Sequence, residues 1–308
     1  MAVTAAQVKE LREMTGAGMM DCKKALVEAN EDMEHAVEIL REKGLSKAAK
    51  KSSRIAAMGL VRIAFAEDAS SAALVEVNSE TDFVAKNEDF INFVEAIAKI
   101  ALENDAADVE ALKALPFGNG NTVGEELTDK IAKIGENLSI RRFVKFAEAG
   151  TKYAGYIHSN GMIGVIVGIK TDATKEEIAV VGKDVAMQVA SMNPKFLDDS
   201  QVDQDWLASE TEIAKHQLLN EGKPEALLEK IIPGKIKAIL KEVCLVDQKF
   251  VKNGDLTVAQ YVDEIAKEVG KDMKVSAMVR YEVGEGMEKK EEDFAAEVAA
   301  QQAAAAGK

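Results

Sequence analysis

Cysteine is almost missing from this chain. Cys22 and Cys244 are the only two in 308 residues, and no Cys-x-x-Cys pair occurs. This argues against both a disulfide framework and a structural zinc site, so both thiols are expected to be reduced in a cytoplasmic setting. Histidine is nearly as rare. His35, His158 and His216 fall in three separate segments, with no Cys–His or Ser–His arrangement, no His-Glu-x-x-His and no phosphate-binding loop. Gly118, Gly120 and Gly124 miss the dinucleotide-binding spacing, and Asp198, Asp199, Asp203 and Asp205 lack the calcium-loop pattern. No catalytic residue, metal ligand or cofactor is nominated. Positive charge is also in deficit: 39 basic against 53 acidic residues give a net charge of −14. Nucleic acid and anionic lipid would be repelled by such a surface. No apolar stretch approaches ~20 residues, and the opening MAVTAAQVKELREMTG has neither a signal core nor transit-peptide character. The expectation is a cytoplasmic protein with no membrane and no direct nucleic-acid partner.

What is present is ordinary globular material: 47% hydrophobic, 30% charged, and only four prolines. The expected fold class is α+β. Residues 1–54 read as a three-helix module followed by a basic linker. Thr4 and Gln7 form a capping box, with Val8, Leu11 and Met14 on one face. The second helix carries Leu26 and Ala29 inward and ends near Asn30. Asp32 caps the third, with Ala36, Val37 and Leu40 inward and Gly44 as its stop. The segment SKAAKKSSR at 46–54 carries four basic residues and no acid. It reads either as a linker or helix extension, or as a basic contact to an acidic partner.

Residues 55–150 read as a β-β-α-α-β subdomain. Its strands are at 57–66, 72–78 and 138–147, and its helices at 88–103 and 123–136. Phe90, Phe93, Val94, Ile97 and Ala101 form one helical stripe. The same order recurs in a second subdomain, at 151–198 and 244–283. Between its halves, residues 199–243 form an antiparallel helical hairpin, a coiled-coil arm with Trp206, Ile213, Leu218, Leu227, Leu228, Ile231, Ile232 and Ile236 on its apolar side. Pro233 should kink the return helix. A second chain or a partner is open as cover for the rest of the stripe. Residues 284–308 read as a helical tail bearing Phe294 and Val298, docked on the body or on a partner.

The run Thr81-Asp82-Phe83-Val84 lies where a strand must turn into a helix, and Thr81, Asp82 or Asn87 can cap there. Phe83 and Val84 either roof the helix–sheet core or present Phe83 to a partner. Burial of such a side chain is worth ~1.5–3 kcal/mol, the scale of an interface anchor.

Four stretches carry a resemblance: VKELREMTGAGMMDCKKAL at 8–26, EVNSETDFVAKN at 76–87, KIGENLSIRR at 133–142 and YEVGEG at 281–286. The chain resembles the translation elongation factor Ts family in its bacterial long form, over nearly its whole length. Tyr281 stands where Phe is commoner. The resemblance implies an exchange factor for the GTPase elongation factor Tu. It implies a ubiquitin-associated-like docking module in which Arg12, Met19 and Met20 are contacts, and core packing stays open for one of the methionines. Asp82 and Phe83 are implied to intrude near the magnesium side of the nucleotide pocket. His158, otherwise readable as a structural or surface histidine, is implied to meet the partner's distal domain. The hairpin is associated with dimerisation. A rival reading from another class is an adaptor or chaperone that binds without promoting exchange. An enzyme is the weakest reading, since no pocket with convergent titratable groups is indicated.

Overall fold

The computed structural model describes residues 3–15, 17–118 and 120–288. The amphipathic tail expected around Phe294 and Val298 lies outside them. At the N-terminus stand three helices, α1 (Ala5–Thr15), α2 (Met19–Glu28) and α3 (Met33–Lys51). Thr4 and Gln7 exchange the expected capping bonds, and Asp32 accepts the His35 N–H at 2.9 Å to start α3. Leu11, Cys22, Ala25, Leu26 and Ala36 fill the small core. Two expectations are corrected. Met14 shares helical spacing with Val8 and Leu11 but is exposed. Gly44 does not stop α3, which runs on to Lys51. A Cβ on Gly44 would lie 3.6 Å from that of Ala132, so the glycine marks a helix contact and not an end. Much of the basic segment is thus helix extension.

The body follows as β1 (Met58–Phe65), β2 (Ala72–Ser79), α4 (Asp82–Ala85), α5 (Glu88–Glu103), α6 (Val109–Lys113), α7 (Val123–Ile134) and β3 (Ser139–Phe146). Then come β4 (Thr151–His158), β5 (Ile163–Lys170) and α8 (Lys175–Met192). The arm is α9 (Gln204–Asn220) and α10 (Glu225–Val243). The chain ends its described part with β6 (Lys249–Phe250), β7 (Asn253–Thr257), α11 (Val258–Val269) and β8 (Lys274–Glu282). The single-turn α4, the short α6 and the β6–β7 ribbon were not anticipated from the pattern. Thr122, Thr174 and Thr257 each open a helix with a full capping box.

Two antiparallel three-stranded sheets, ordered β1-β2-β3 and β4-β5-β8, lie face to face. Between them sit Val61, Leu74, Tyr153, Ile166 and Val283. A Cβ on Gly164 would press to 2.8 Å from Leu74 and 2.9 Å from Val61, so the glycine permits the close approach. On its outer face each sheet carries helices. The Phe90, Phe93, Val94, Ile97 and Ala101 stripe of α5 covers Leu60, Ala73, Val75 and Val77. Ile178, Val181, Val185 and Val189 of α8 cover Val165, Val167 and Ile169. The central strand β2 is therefore buried on both faces, and all eight of its residues are buried. That explains its nearly continuous apolar sequence in an antiparallel sheet.

The charged exception is Glu76, buried in the middle of β2, where Asn78 and Ser79 are also buried. Its carboxylate accepts from Arg142 Nε at 2.6 Å, Arg141 Nη1 at 3.0 Å, Asn78 Nδ2 at 3.2 Å and the Gly284 N–H at 2.8 Å. Arg142 also lies over the Tyr281 ring, 4.1 Å from its centre, and donates to the Glu282 carbonyl at 3.2 Å. Gly284 has φ +70°, and a Cβ there would collide with the Ala57 carbonyl oxygen.

The arm buries Ala214, Leu218 and Leu228 and leaves Ile213, Leu219 and Leu227 exposed. Trp206 at its root packs on Phe196 at 5.0 Å. Helix α10 continues through Pro233.

Replacing Glu76 by Ala removes the buried acceptor shared by two guanidinium groups and leaves the buried Gly284 N–H without it. The expected cost is roughly 3–5 kcal/mol. Replacing Glu95, the exposed partner of Arg62, should cost less than ~1 kcal/mol. Urea unfolding of the two variants measures the difference.

Candidate functional site

Strand β2 ends at Ser79, and the chain must then reverse into α5. Helix α4 makes that reversal in one turn. Thr81 is its N-cap, accepting from the Val84 N–H, and Asn87 caps α5 by accepting from the Asp89 N–H at 2.9 Å. The Ser79 hydroxyl donates to the Thr81 carbonyl at 3.0 Å. Of the four residues singled out in the sequence, two face inward. Val84 is 8% exposed and belongs to the core under α5, and Thr81 is half-buried. The other two face outward. Phe83 is 80% exposed, the most exposed large apolar side chain among the described residues. Asp82 pairs with Lys86 one turn on, at 2.5 Å. That hydrogen bond holds its carboxyl below the usual aspartate range, so Asp82 is ionised at neutral pH. Of the pair, Val84 takes the roofing position and Phe83 faces solvent.

The turn is braced from outside its own segment. Glu136, just after α7, accepts the Glu80 and Thr81 N–H groups at 3.1 and 3.0 Å and the Thr81 hydroxyl at 2.7 Å. In return Glu80 accepts the Asn137 N–H at 2.5 Å and faces Arg54 at 3.4 Å. Asn137 donates to the Arg54 carbonyl at 2.8 Å. Partial burial and the neighbouring Arg54 lower the Lys51 ammonium pKa, while Glu80 and Glu136 oppose that shift. The end of the basic segment thus lies against acidic groups of the chain itself.

The remaining residues lie elsewhere. Arg12 is in the last turn of α1, and Met19 and Met20 open α2, all exposed. They flank the α1–α2 connection together with the exposed Met14. Neither methionine of the 19–20 pair is in the core. His158 ends β4, exposed, with Nδ1 3.0 Å from the Tyr156 hydroxyl. The turn that follows it packs against β1, as α4 does. Gly161 in that turn fits against Leu60 and Arg62 of β1. The Phe83 turn and the His158 turn therefore border the same strand. Sequence reasoning missed Glu136. Its signal was the Glu of KIGENLSIRR, but nothing local ties that residue to a turn 55 positions away.

Among the described residues no group of three or more His, Cys, Asp and Glu is placed to hold a metal, and no helix is long and apolar enough to cross a membrane. The open hollows lie between elements. One, of about 570 Å³, separates the three-helix unit from α7 and is lined by Met14, Asp21, Arg41, Lys47 and Asp129 among others.

A model of the family described as Elongation factor TS matches residues 80–285. The chain is 56% identical to Elongation factor Ts of Clostridioides difficile (strain 630) over 97% of this chain and 98% of that one. It is 53% identical to Elongation factor Ts of Clostridium botulinum (strain Eklund 17B / Type B) over 97% and 99%. This chain belongs to the elongation factor Ts family. The match begins at Glu80, the residue that opens the braced turn, and ends at Glu285, which meets Arg142 at 3.1 Å.

In this member of the elongation factor Ts family, Phe83→Ala removes only a solvent-facing ring, so stability should stay within ~0.5 kcal/mol of wild type. Val84→Ala opens the core and should cost roughly 1–3 kcal/mol. Chemical denaturation of both variants checks the division of roles.

Proposed function

We propose that the chain is a guanine-nucleotide exchange factor for the translational GTPase elongation factor Tu, working by protein–protein binding and not by bond chemistry of its own. The observation that carries this reading is an almost fully exposed Phe83 held on a turn whose backbone is braced by Glu136. A large apolar side chain kept in water on a rigid support fits a wedge better than a packing residue. Family membership supports the partner and the process.

The two sheet–helix units serve as related subdomains that form the body, residues 55–150 and 151–283 with the arm inserted at 199–243. The three-helix unit, residues 1–54, acts as a ubiquitin-associated-type docking module. Arg12, Met19 and Met20 make its contacts, and the methionines suit an adaptable apolar surface. Asp82 and Phe83 enter beside the magnesium and phosphate site, and His158 reaches the partner's distal domain. A second copy of the chain covers the apolar side of the arm, where Ile213, Leu219 and Leu227 are exposed. Exchange is then negative coupling between two ligands of one GTPase. A factor that weakens nucleotide binding is itself bound more weakly when nucleotide is present, by the same ratio. No base or acid is needed for this, and Asp82, ionised, adds repulsion toward phosphate.

Stopped-flow release of fluorescent GDP from elongation factor Tu tests the proposal. The wild-type chain should accelerate release, and Phe83→Ala should slow it roughly ten- to hundredfold, the range set by losing one buried aromatic contact. Binding without acceleration by the wild-type chain points to an adaptor. A well-folded Phe83→Ala variant that releases GDP at the wild-type rate removes the wedge.

A further inference from the structure

We propose that Glu136 is a positioning residue for Phe83: its carboxylate fixes the Glu80–Val84 turn in the geometry that presents the ring. The proposal rests on the exchange reading above and assigns a role to a residue outside the TDFVAKN run.

A strand that leaves its sheet abandons its backbone donors. At the end of β2 the Glu80 and Thr81 N–H groups face no backbone acceptor, and a four-residue helix cannot satisfy them internally. Glu136 takes both on one oxygen, and its other oxygen takes the Thr81 hydroxyl at 2.7 Å. That hydroxyl oxygen also caps α4 by accepting the Val84 N–H at 3.5 Å. One carboxylate thereby sets the backbone on the near side of Phe83 and the cap of the helix that carries it. Hydrogen bonds to an ionised acceptor are the stronger kind. Glu136 is itself held. The next residue, Asn137, is buried, gives its N–H to Glu80 and its side chain to the Arg54 carbonyl, and so prevents the 135–137 segment from swinging away.

At 80% exposure, Phe83 has little packing of its own to hold it in place. Without the clamp, the turn would have to be ordered at each encounter with the GTPase. With it, that entropic cost is met during folding. The effect should therefore fall on the rate of release within the complex more than on the concentration needed to form it.

The test uses the full chain and stopped-flow release of fluorescent GDP from elongation factor Tu over a series of chain concentrations. Four variants are compared: Glu136→Leu, Glu136→Gln, Phe83→Ala and the Glu136→Leu/Phe83→Ala double. Glu136→Leu should lower the maximum release rate roughly tenfold, move the half-saturating concentration less than threefold, and speed amide exchange at residues 80–84. Glu136→Gln, whose amide oxygen still accepts both N–H groups, should recover most of the rate. In the Phe83→Ala background, Glu136→Leu should add no further loss. A Glu136→Leu chain that releases GDP at the wild-type rate, or whose defect multiplies with that of Phe83→Ala, overturns the clamp. A Phe83→Ala chain at the wild-type rate overturns the exchange reading itself, so the two failures are distinct. Should Glu136→Leu not fold, Thr81→Val carries the same test. It removes both hydroxyl bonds, the one to Glu136 and the one that caps α4, while the backbone N–H bonds to Glu136 remain; it should lower the maximum rate only where Phe83 is present, and overturns the proposal if it lowers it equally in the Phe83→Ala background.

Discussion

The carboxylate of Glu76 is buried at the centre of the molecule, and a charge at that depth persists only because its hydrogen-bonding capacity is filled. The groups that fill it come from its own strand and from two distant parts of the chain: Asn78 two positions on, Arg141 and Arg142 on β3, and the Gly284 N–H beyond β8. β3 belongs to the first sheet, whereas Gly284 continues the strand that closes the second. Burying Glu76 therefore requires both sheets to be complete and stacked. A hydrophobic residue at this place would pack against many partners, but a carboxylate accepts only donors in the right directions. It exchanges some stability for a single register between the sheets, the use of buried polar groups for which physical support is best.

That register matters because β2 leads straight to the exposed ring. Two residues separate Glu76 from Ser79, where the strand ends, and the reversal to α5 begins at once. Both faces of β2 are covered, one by α5 and the other by the second sheet, so the strand cannot slide or roll. Val84 roofs the α5 side of the core and fixes the far end of the turn. Phe83 is left pointing outward by exclusion: the core position is taken by its neighbour, and the backbone is clamped on both sides. An exposed aromatic on a floppy loop would gain little from partner burial after the ordering cost. On this turn, most of that cost has been met by folding.

Much of this was legible in the sequence, and the rest was not for identifiable reasons. Helix α5 was readable to the residue because five apolar side chains on one stripe fit only a helix, with Asn87 to start it. The hairpins were readable from alternation and turn residues. Gly44 misled because a glycine after an amphipathic run commonly ends a helix. Here it lies under Ala132, a contact that no local pattern encodes. Met14 misled because spacing assigns a face but cannot tell where the partner helices stop covering it. Two adjacent apolar residues, Phe83 and Val84, could not be separated by pattern. Which one points inward is set by how the chain leaves β2, at a turn braced by Glu136, whose carboxylate arrives through the packing of α7. Arg141, Arg142 and Gly284 stood within distinctive stretches of sequence, but only the fold reveals that those stretches meet at one buried charge.

The continuation of α3 to Lys51 has a mechanical consequence. A linker after Gly44 would let the three-helix unit swing freely from the body. Instead α3 packs along α7, and the chain just after it stays pinned at Arg54, beside Glu80 and Asn137. The surface formed by Arg12, Met19 and Met20 is thus joined to the Phe83 turn through helix and hydrogen bonds, with no flexible tether between them. In a tethered design, docking and insertion would be two events linked only by effective concentration. In this one, on the proposed exchange reading, docking the three-helix unit would fix where the ring goes. The same rigidity limits which partners can be served. If the proposed contacts hold, only a protein that presents an apolar docking patch and an accessible nucleotide pocket at the separation built into α3 and α7 can engage both at once.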